Sequence, residues 1–214
     1  MSLPFLREKV FIYFRRSRMK KFYATFQPSA LTRLLDIGGS PHTWVRESSY
    51  DAQFPVTLVN IRPITEIMAD RFAPMKGDAT NLPFADESFD IAFSNSAIEH
   101  MTTWEQQCKF ANEARRMAKK LWVQTPARSF PVEAHFLALF FQYLPQSWQR
   151  RLARHFTLWG WLARPTAAEV EEMISDIRLL TYKEMKQLFP DCLILKERVF
   201  GLTKSYVAVR GLEG

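Results

Sequence analysis

Two histidines stand where a chain can hold a proton acceptor beside a bound substrate. His100 ends the polar run Ser94-Asn95-Ser96-Ala97-Ile98-Glu99-His100, and His135 closes Pro131-Val132-Glu133-Ala134-His135, where Glu133 is spaced to orient it. Imidazole titrates near neutrality, so either suits general-base work on a hydroxyl acceptor. The sequence leaves the choice between them open. His42 lies in a glycine turn and His155 in an aromatic segment, where packing or capping is the ordinary role. Asp78 follows the strand-like run Phe72–Asp78, and the cluster Ser94–Ser96 follows the alternating run Ser88–Ser94. In an open α/β sheet, ligands sit beyond the carboxyl ends of strands, where Asp78, Ser94, Asn95 and His100 all fall.

The elements that must carry these groups are legible as patterns. Buried or alternating strands are expected at Arg33–Ile37, Val56–Asn60, Leu121–Gln124, Cys192–Val199 and Lys204–Val209, besides the two above. The short link Phe200–Thr203 favours an antiparallel final pair. A basic amphipathic helix is expected over 5–27, with Met19, Phe22, Tyr23 and Phe26 on one face, and packing is its expected role. Thr102-Thr103 before Glu105-Gln106, and Thr181 before Glu184, have capping-box spacing for two further helices. Residues 127–165 form an aromatic, basic insertion. There Phe136–Leu144 reads as an apolar helix, and Trp148, Leu152, Phe156 and Trp159 fall at one helical spacing beside Arg150, Arg151 and Arg154. The insertion is expected to act as a helical cap over the site, as an interfacial element or as plain packing.

Composition narrows the class. The 214 residues are 47% hydrophobic and 24% charged, which fits a single globular domain over 1–214. Cys108 and Cys192 have no metal or redox spacing, and no apolar run is long enough to span a bilayer, so a cytoplasmic setting is expected. There is no HExxH, no GxxxxGK[ST] loop and no paired-cysteine ligand set, so no metal is expected. The net charge of +7 is uneven: residues 34–100 hold four basic and ten acidic side chains, whereas 101–165 hold ten and three. An acidic half suits a cationic ligand, and basic flanks suit an anionic acceptor or surface. Solvated helix faces would give the same distribution.

Leu34–Gly39 (LLDIGG) followed by Gly77–His100 (GDATNLPFADESFDIAFSNSAIEH) resembles the class I S-adenosylmethionine-dependent methyltransferases, in the methyltransferase type 11-like branch, over about residues 30–126. The resemblance implies a Rossmann-like, seven-stranded, mostly parallel α/β sheet with helices on both faces and one late antiparallel strand. It implies S-adenosyl-L-methionine as methyl donor and S-adenosyl-L-homocysteine as product. It assigns the cofactor to Asp36, Gly38, Gly39 and Ser40 after the first strand, to Asn60 and Ile61 after the second, to Asp78 and Ala79 at the adenine, and to Ser94 and Asn95. Ser40 and His42 stand where the motif has glycines, and Asn60 where it has a ribose-binding carboxylate. The turn fits GxGxxG only at its first glycine and lacks the last glycine of a nucleophile elbow.

Methyl transfer mainly needs alignment and exclusion of water, plus a base where the acceptor is a hydroxyl. The expected acceptor is a small or lipid-linked molecule, a saccharide or glycolipid in particular, methylated on oxygen, with peripheral membrane contact through the basic aromatic helices. Two alternatives stand beside it: methylation of RNA or protein, for which no nucleic-acid module is visible, and a methyltransferase fold kept as a binding scaffold. Oligomeric state is not legible.

Overall fold

Alternating and continuous apolar runs build the sheet. The computed structural model describes residues 3–45, 53–65 and 69–212. Its strands are β1 (Leu34–Ile37), β2 (Val56–Asn60), β3 (Phe72–Lys76), β4 (Phe89–Asn95), β5 (Ala118–Pro126), β6 (Val132–Glu133), β7 (Ala138–Leu139), β8 (Leu193–Val199) and β9 (Leu202–Arg210). Seven of these form one sheet in the order β3-β2-β1-β4-β5-β9-β8, while β6 and β7 pair separately. β3, β2, β1, β4 and β5 are parallel, and β9 runs antiparallel to both neighbours. This is the doubly wound, Rossmann-like arrangement of the class I methyltransferases. β1 is buried along its whole length, as expected of a central parallel strand covered on both faces.

Helices α1 (Leu3–Phe26) and α2 (Pro41–Val45) lie on one face, and α3 (Trp104–Met117) and α7 (Tyr182–Leu188) on the other. Met19, Phe22, Tyr23 and Phe26 of α1 are buried against the sheet. The Phe22 ring sits 5.2 Å from Phe93 and 5.7 Å from Trp122, both edge to face. Each such side chain contributes about 1.5–3 kcal/mol by burial, so this end of the basic helix is a packing element. Phe110, Ala114 and Met117 of α3 join Met185 and Leu188 of α7 on the opposite face. The two expected capping boxes are present, Thr103 with Gln106 and Thr181 with Glu184.

A third apolar cluster lies beyond β5. Helices α4 (Gln146–Phe156), α5 (Leu158–Ala163) and α6 (Ala167–Ser175) enclose Phe136, Phe141, Ala153, Val170 and Ile174. Two local expectations are corrected here. Phe136–Leu144 is not a helix: it forms β7 and a 3-10 turn at Phe141–Tyr143. The Glu133 carboxylate captures the backbone N–H groups of His135 and Phe136, and Leu137 and Phe140 take positive φ, which ends helical winding. Nor do Trp148 and Phe156 share a buried face with Trp159. The helix stops at Phe156, Thr157 caps α5, and Trp148 and Phe156 stay exposed.

Candidate active site

The first half of the site is the turn after β1. Gly38 has φ +80°, and a Cβ there would meet the Ala97 Cβ at 2.5 Å. A Cβ on Gly39 would lie 1.8 Å from the Asp36 carboxylate. Bare backbone is therefore required at both positions. Asp36 is buried, and its Oδ2 accepts from the Trp44 indole at 2.8 Å, so it fixes α2 behind the turn. Ser40 is half-buried, and its carbonyl accepts from Thr43 N–H.

The neighbouring strand ends close around this turn. Asn60 ends β2 with its amide nitrogen 3.4 Å from the Gly38 and Gly39 carbonyls, and its Oδ1 accepts from Arg62 N–H. Ile61 is exposed. Asp78 lies just past β3 with an exposed carboxylate, whose Oδ1 accepts from the backbone and hydroxyl of Thr80 at 2.8 Å. Ala79 packs on the core beside it.

Two expected residues are engaged in the scaffold. The Ser94 hydroxyl is buried and donates to the Ile37 carbonyl at 2.8 Å, tying β4 to β1. Asn95 Oδ1 accepts from Arg18, whose guanidinium also pairs with Glu197 at 2.8 Å. Arg18 is almost fully buried at the ligand end of the sheet, a contact that α1's spacing did not disclose.

The second half is built by the bend after β4. Ser96 takes positive φ and hydrogen-bonds Gln124 of β5 through both its backbone and its hydroxyl. This redirects the chain into a 3-10 turn, Ile98–His100. Gln107 of α3 donates to the Ile98 carbonyl, and Arg178 N–H to the Glu99 carbonyl, which pins the turn from two sides. His100 Nδ1 lies 2.7 Å from Asp176 Oδ2, and His135 Nδ1 lies 2.8 Å from Glu133 Oε1. The two imidazoles meet edge to face with centroids 5.6 Å apart.

Between them sits Glu99, fully buried, with Oε2 accepting from the Thr125 hydroxyl at 3.0 Å. Ligand-capable atoms of Glu99, His100 and His135 lie within 4.8 Å of one another. Burial pushes the Glu99 carboxyl above the usual range, against the pull of His135, its own backbone N–H, His100 and Thr125. Burial by itself would lower His135, but the hydrogen bond and charge of Glu133, with Glu99 and Asp176, raise it. Of the residues expected from the sequence, the structure brings His100, His135 and Glu133 together; Glu99 and Asp176, which the sequence reading did not single out, join them. A cavity of about 270 Å³ is lined by Glu133, Phe136, Phe141, Gln149, Ile174 and Arg178.

The strand order, the glycine turn and the polar ends of β2, β3 and β4 define a class I methyltransferase fold. Residues 35–121 match the family model described as "Methyltransferase domain". Among curated proteins, none matches its sequence. Solved structures do. The 1,6-didemethyltoxoflavin-N1-methyltransferase of Burkholderia thailandensis, with its acceptor and S-adenosylhomocysteine bound, superposes with TM-score 0.57 at 13% identity, over 93% of this chain and 78% of that one. Phosphoethanolamine N-methyltransferase 2 of Haemonchus contortus, in complex with phosphomonomethylethanolamine and S-adenosylhomocysteine, gives 0.55 at 13%, over 86% of this chain and 39% of that one. The CurJ carbon methyltransferase gives 0.53 at 15%, over 94% and 54%. At these identities the likeness is one of fold, and the neighbours' names span nitrogen and carbon acceptors.

Proposed function

We propose that this chain is an S-adenosylmethionine-dependent methyltransferase acting on a hydroxyl of a small-molecule or lipid-linked acceptor. The observation that carries the reading is the convergence of His100, His135 and Glu99 at the bend after β4, where Ala97 abuts the cofactor-type glycine turn. The sulfonium donor supplies a methyl group with a good leaving group. The chain's residues fit such a donor: bare backbone at Gly38 and Gly39, a hydrogen-bonding amide at Asn60 and an exposed carboxylate at Asp78. Asn60 offers neutral bonds where a carboxylate would offer charge-assisted ones, which are about twice as strong. Cofactor affinity is accordingly modest. His100 and His135, oriented by Asp176 and Glu133, activate the acceptor hydroxyl, and the cavity lined by Glu133 receives the acceptor's body.

The test is calorimetric titration with S-adenosylmethionine and S-adenosylhomocysteine, with Asp78→Ala alongside. Micromolar binding that the variant loses supports the reading. No binding at millimolar ligand sinks it and favours the scaffold alternative. A screen with labelled methyl donor over hydroxyl-bearing saccharides and glycolipids then identifies the acceptor.

A membrane-proximal acceptor is favoured by exposed side chains of α4 and α5. Trp148, Phe156 and Trp161 are exposed at 58%, 73% and 69%, with Arg151 and Arg154 exposed beside them. Aromatic side chains interleaved with arginines bind anionic interfaces. No helix among the described residues is long and apolar enough to cross a membrane. Co-sedimentation with anionic vesicles, reduced in Trp161→Ser and Phe156→Ser and absent with neutral vesicles, is the expected result. Equal binding to both vesicle types by the native chain would refute the electrostatic part.

A further inference from the structure

We infer that Glu99, His100 and His135 form a binding site for a divalent transition-metal cation. Their potential ligand atoms lie within 4.8 Å of one another, and a tetrahedral ion at about 2.0–2.2 Å from each would draw them to roughly 3.4 Å. Side-chain rotation, chiefly of His100, the more exposed of the two rings, would supply that closure.

Three features distinguish this cluster from a chance grouping. Glu99 is fully buried, and among the described residues its Oε1 has no partner in hydrogen-bond geometry. A buried carboxylate oxygen without a donor is costly unless something positive faces it. Each histidine also has Nδ1 against a carboxylate, Asp176 for His100 and Glu133 for His135. A neutral imidazole that donates Nδ1–H to a carboxylate presents its Nε2 lone pair outward, which is the carboxylate–histidine–metal arrangement. Finally, two imidazoles and one carboxylate leave coordination positions open, as in catalytic sites, and favour Zn²⁺, Fe²⁺ or Co²⁺ over the oxygen-seeking Mg²⁺.

The site's place at the bend after β4 gives the ion a role that rests on the methyltransferase reading. With both Nε2 lone pairs on the ion, the histidines would act through it rather than as free bases, and an acceptor hydroxyl bound to it would lose its proton to water more readily. Its oxygen then bonds the methyl carbon as the carbon–sulfur bond breaks, and the bonding pair stays on sulfur.

The test separates the two ideas. The chain, freed of metal with a chelator, is titrated with Zn²⁺ alone and separately with Co²⁺, whose visible spectrum reports coordination. Saturable one-to-one binding is expected. His100→Gln and His135→Gln should each weaken it on the order of 100-fold or more. Asp176→Asn, an exposed change that folding tolerates, should weaken it about 10-fold to 100-fold through ligand orientation. Circular dichroism confirms that each variant is folded, so a loss cannot come from unfolding. Absent saturable binding, or binding equal in native and both histidine variants, overturns the inference. S-adenosylhomocysteine is titrated into the same samples. Homocysteine-product binding without Zn²⁺ binding removes the metal site and leaves the methyltransferase reading standing, and the reverse pattern removes that reading alone.

Discussion

The imidazoles of His100 and His135 meet edge to face at 5.6 Å although 35 positions separate them, and each leans on its own carboxylate. Two rings aimed at one place act as a unit, and groups that act as a unit give non-additive losses. With the acceptor returned by the methyl-transfer screen, His100→Gln and His135→Gln should each lower kcat by about 10²–10⁴. The double variant should fall little further. S-adenosylhomocysteine affinity should stay within about threefold, because neither ring belongs to the glycine turn. Losses that multiply in the double variant would show that the two rings work separately.

The glycine turn makes a sharper claim. Gly39→Ala forces a methyl group into the Asp36 carboxylate, which cannot retreat without releasing the Trp44 indole. The expected outcome is a loss of at least about 2 kcal/mol in unfolding free energy together with undetectable S-adenosylhomocysteine binding. Urea denaturation and calorimetry check the two parts. Gly201→Ala is the control for crowding: its φ is +80°, but nothing lies within 4 Å of the added carbon. It should cost only the left-handed backbone penalty, about 1 kcal/mol, and leave ligand binding intact.

Arg18 and Glu197 belong to elements 179 positions apart and join α1 to β8 under the end of the sheet. Removing one partner leaves a buried charge, so Arg18→Met should destabilise by about 3 kcal/mol. In the doubly substituted chain, with Glu197→Gln added, the total should fall short of the sum of the singles by more than about 1 kcal/mol. Additive losses in a double-mutant cycle by urea unfolding would refute the pairing. Asn95 loses its guanidinium donor in the same variant, so a change in ligand affinity is expected alongside.

These contacts show what a linear reading reaches. Strand and helix positions were legible because burial imposes periods of two and 3.6 along the chain, and because Thr103 and Thr181 cap helices with partners three residues away. His135 and Glu133 were legible for the same reason, their relation being local. Glu99 was not, since an acid beside a histidine carries no signal of burial, and Asp176 reaches His100 across 76 positions. The Phe136–Leu144 segment misled for a local cause that hydrophobicity hides: a single carboxylate two and three residues upstream satisfies the amides that a helix would have used. Asp78 shows a further limit. Its motif position was visible, but the Thr80 turn that fixes one of its oxygens was not.

Lys204 gives a pH-dependent prediction. Burial, with Arg18 and then Arg15 repelling and Glu197 attracting, pushes its ammonium down to about 8, and its Nζ lies 4.3 Å from the Phe14 ring centroid. An unfolded lysine titrates near 10.4. Between about pH 8 and 10.4 the unfolded chain therefore binds more protons at this position than the folded one, so stability contributed by Lys204 rises with pH across that window. Below about pH 8 the full cost of the buried charge is present. Lys204→Met keeps the apolar stem and removes the charge. At pH 7 the variant should be more stable by on the order of 1–2 kcal/mol, a figure already reduced for solvent screening, and the difference should vanish as pH approaches 10. Urea midpoints for both chains at pH 7, 8.5 and 10 measure this directly. A stability difference that stays constant across the three pH values would mean that Lys204 keeps an ordinary lysine pKa in the folded chain.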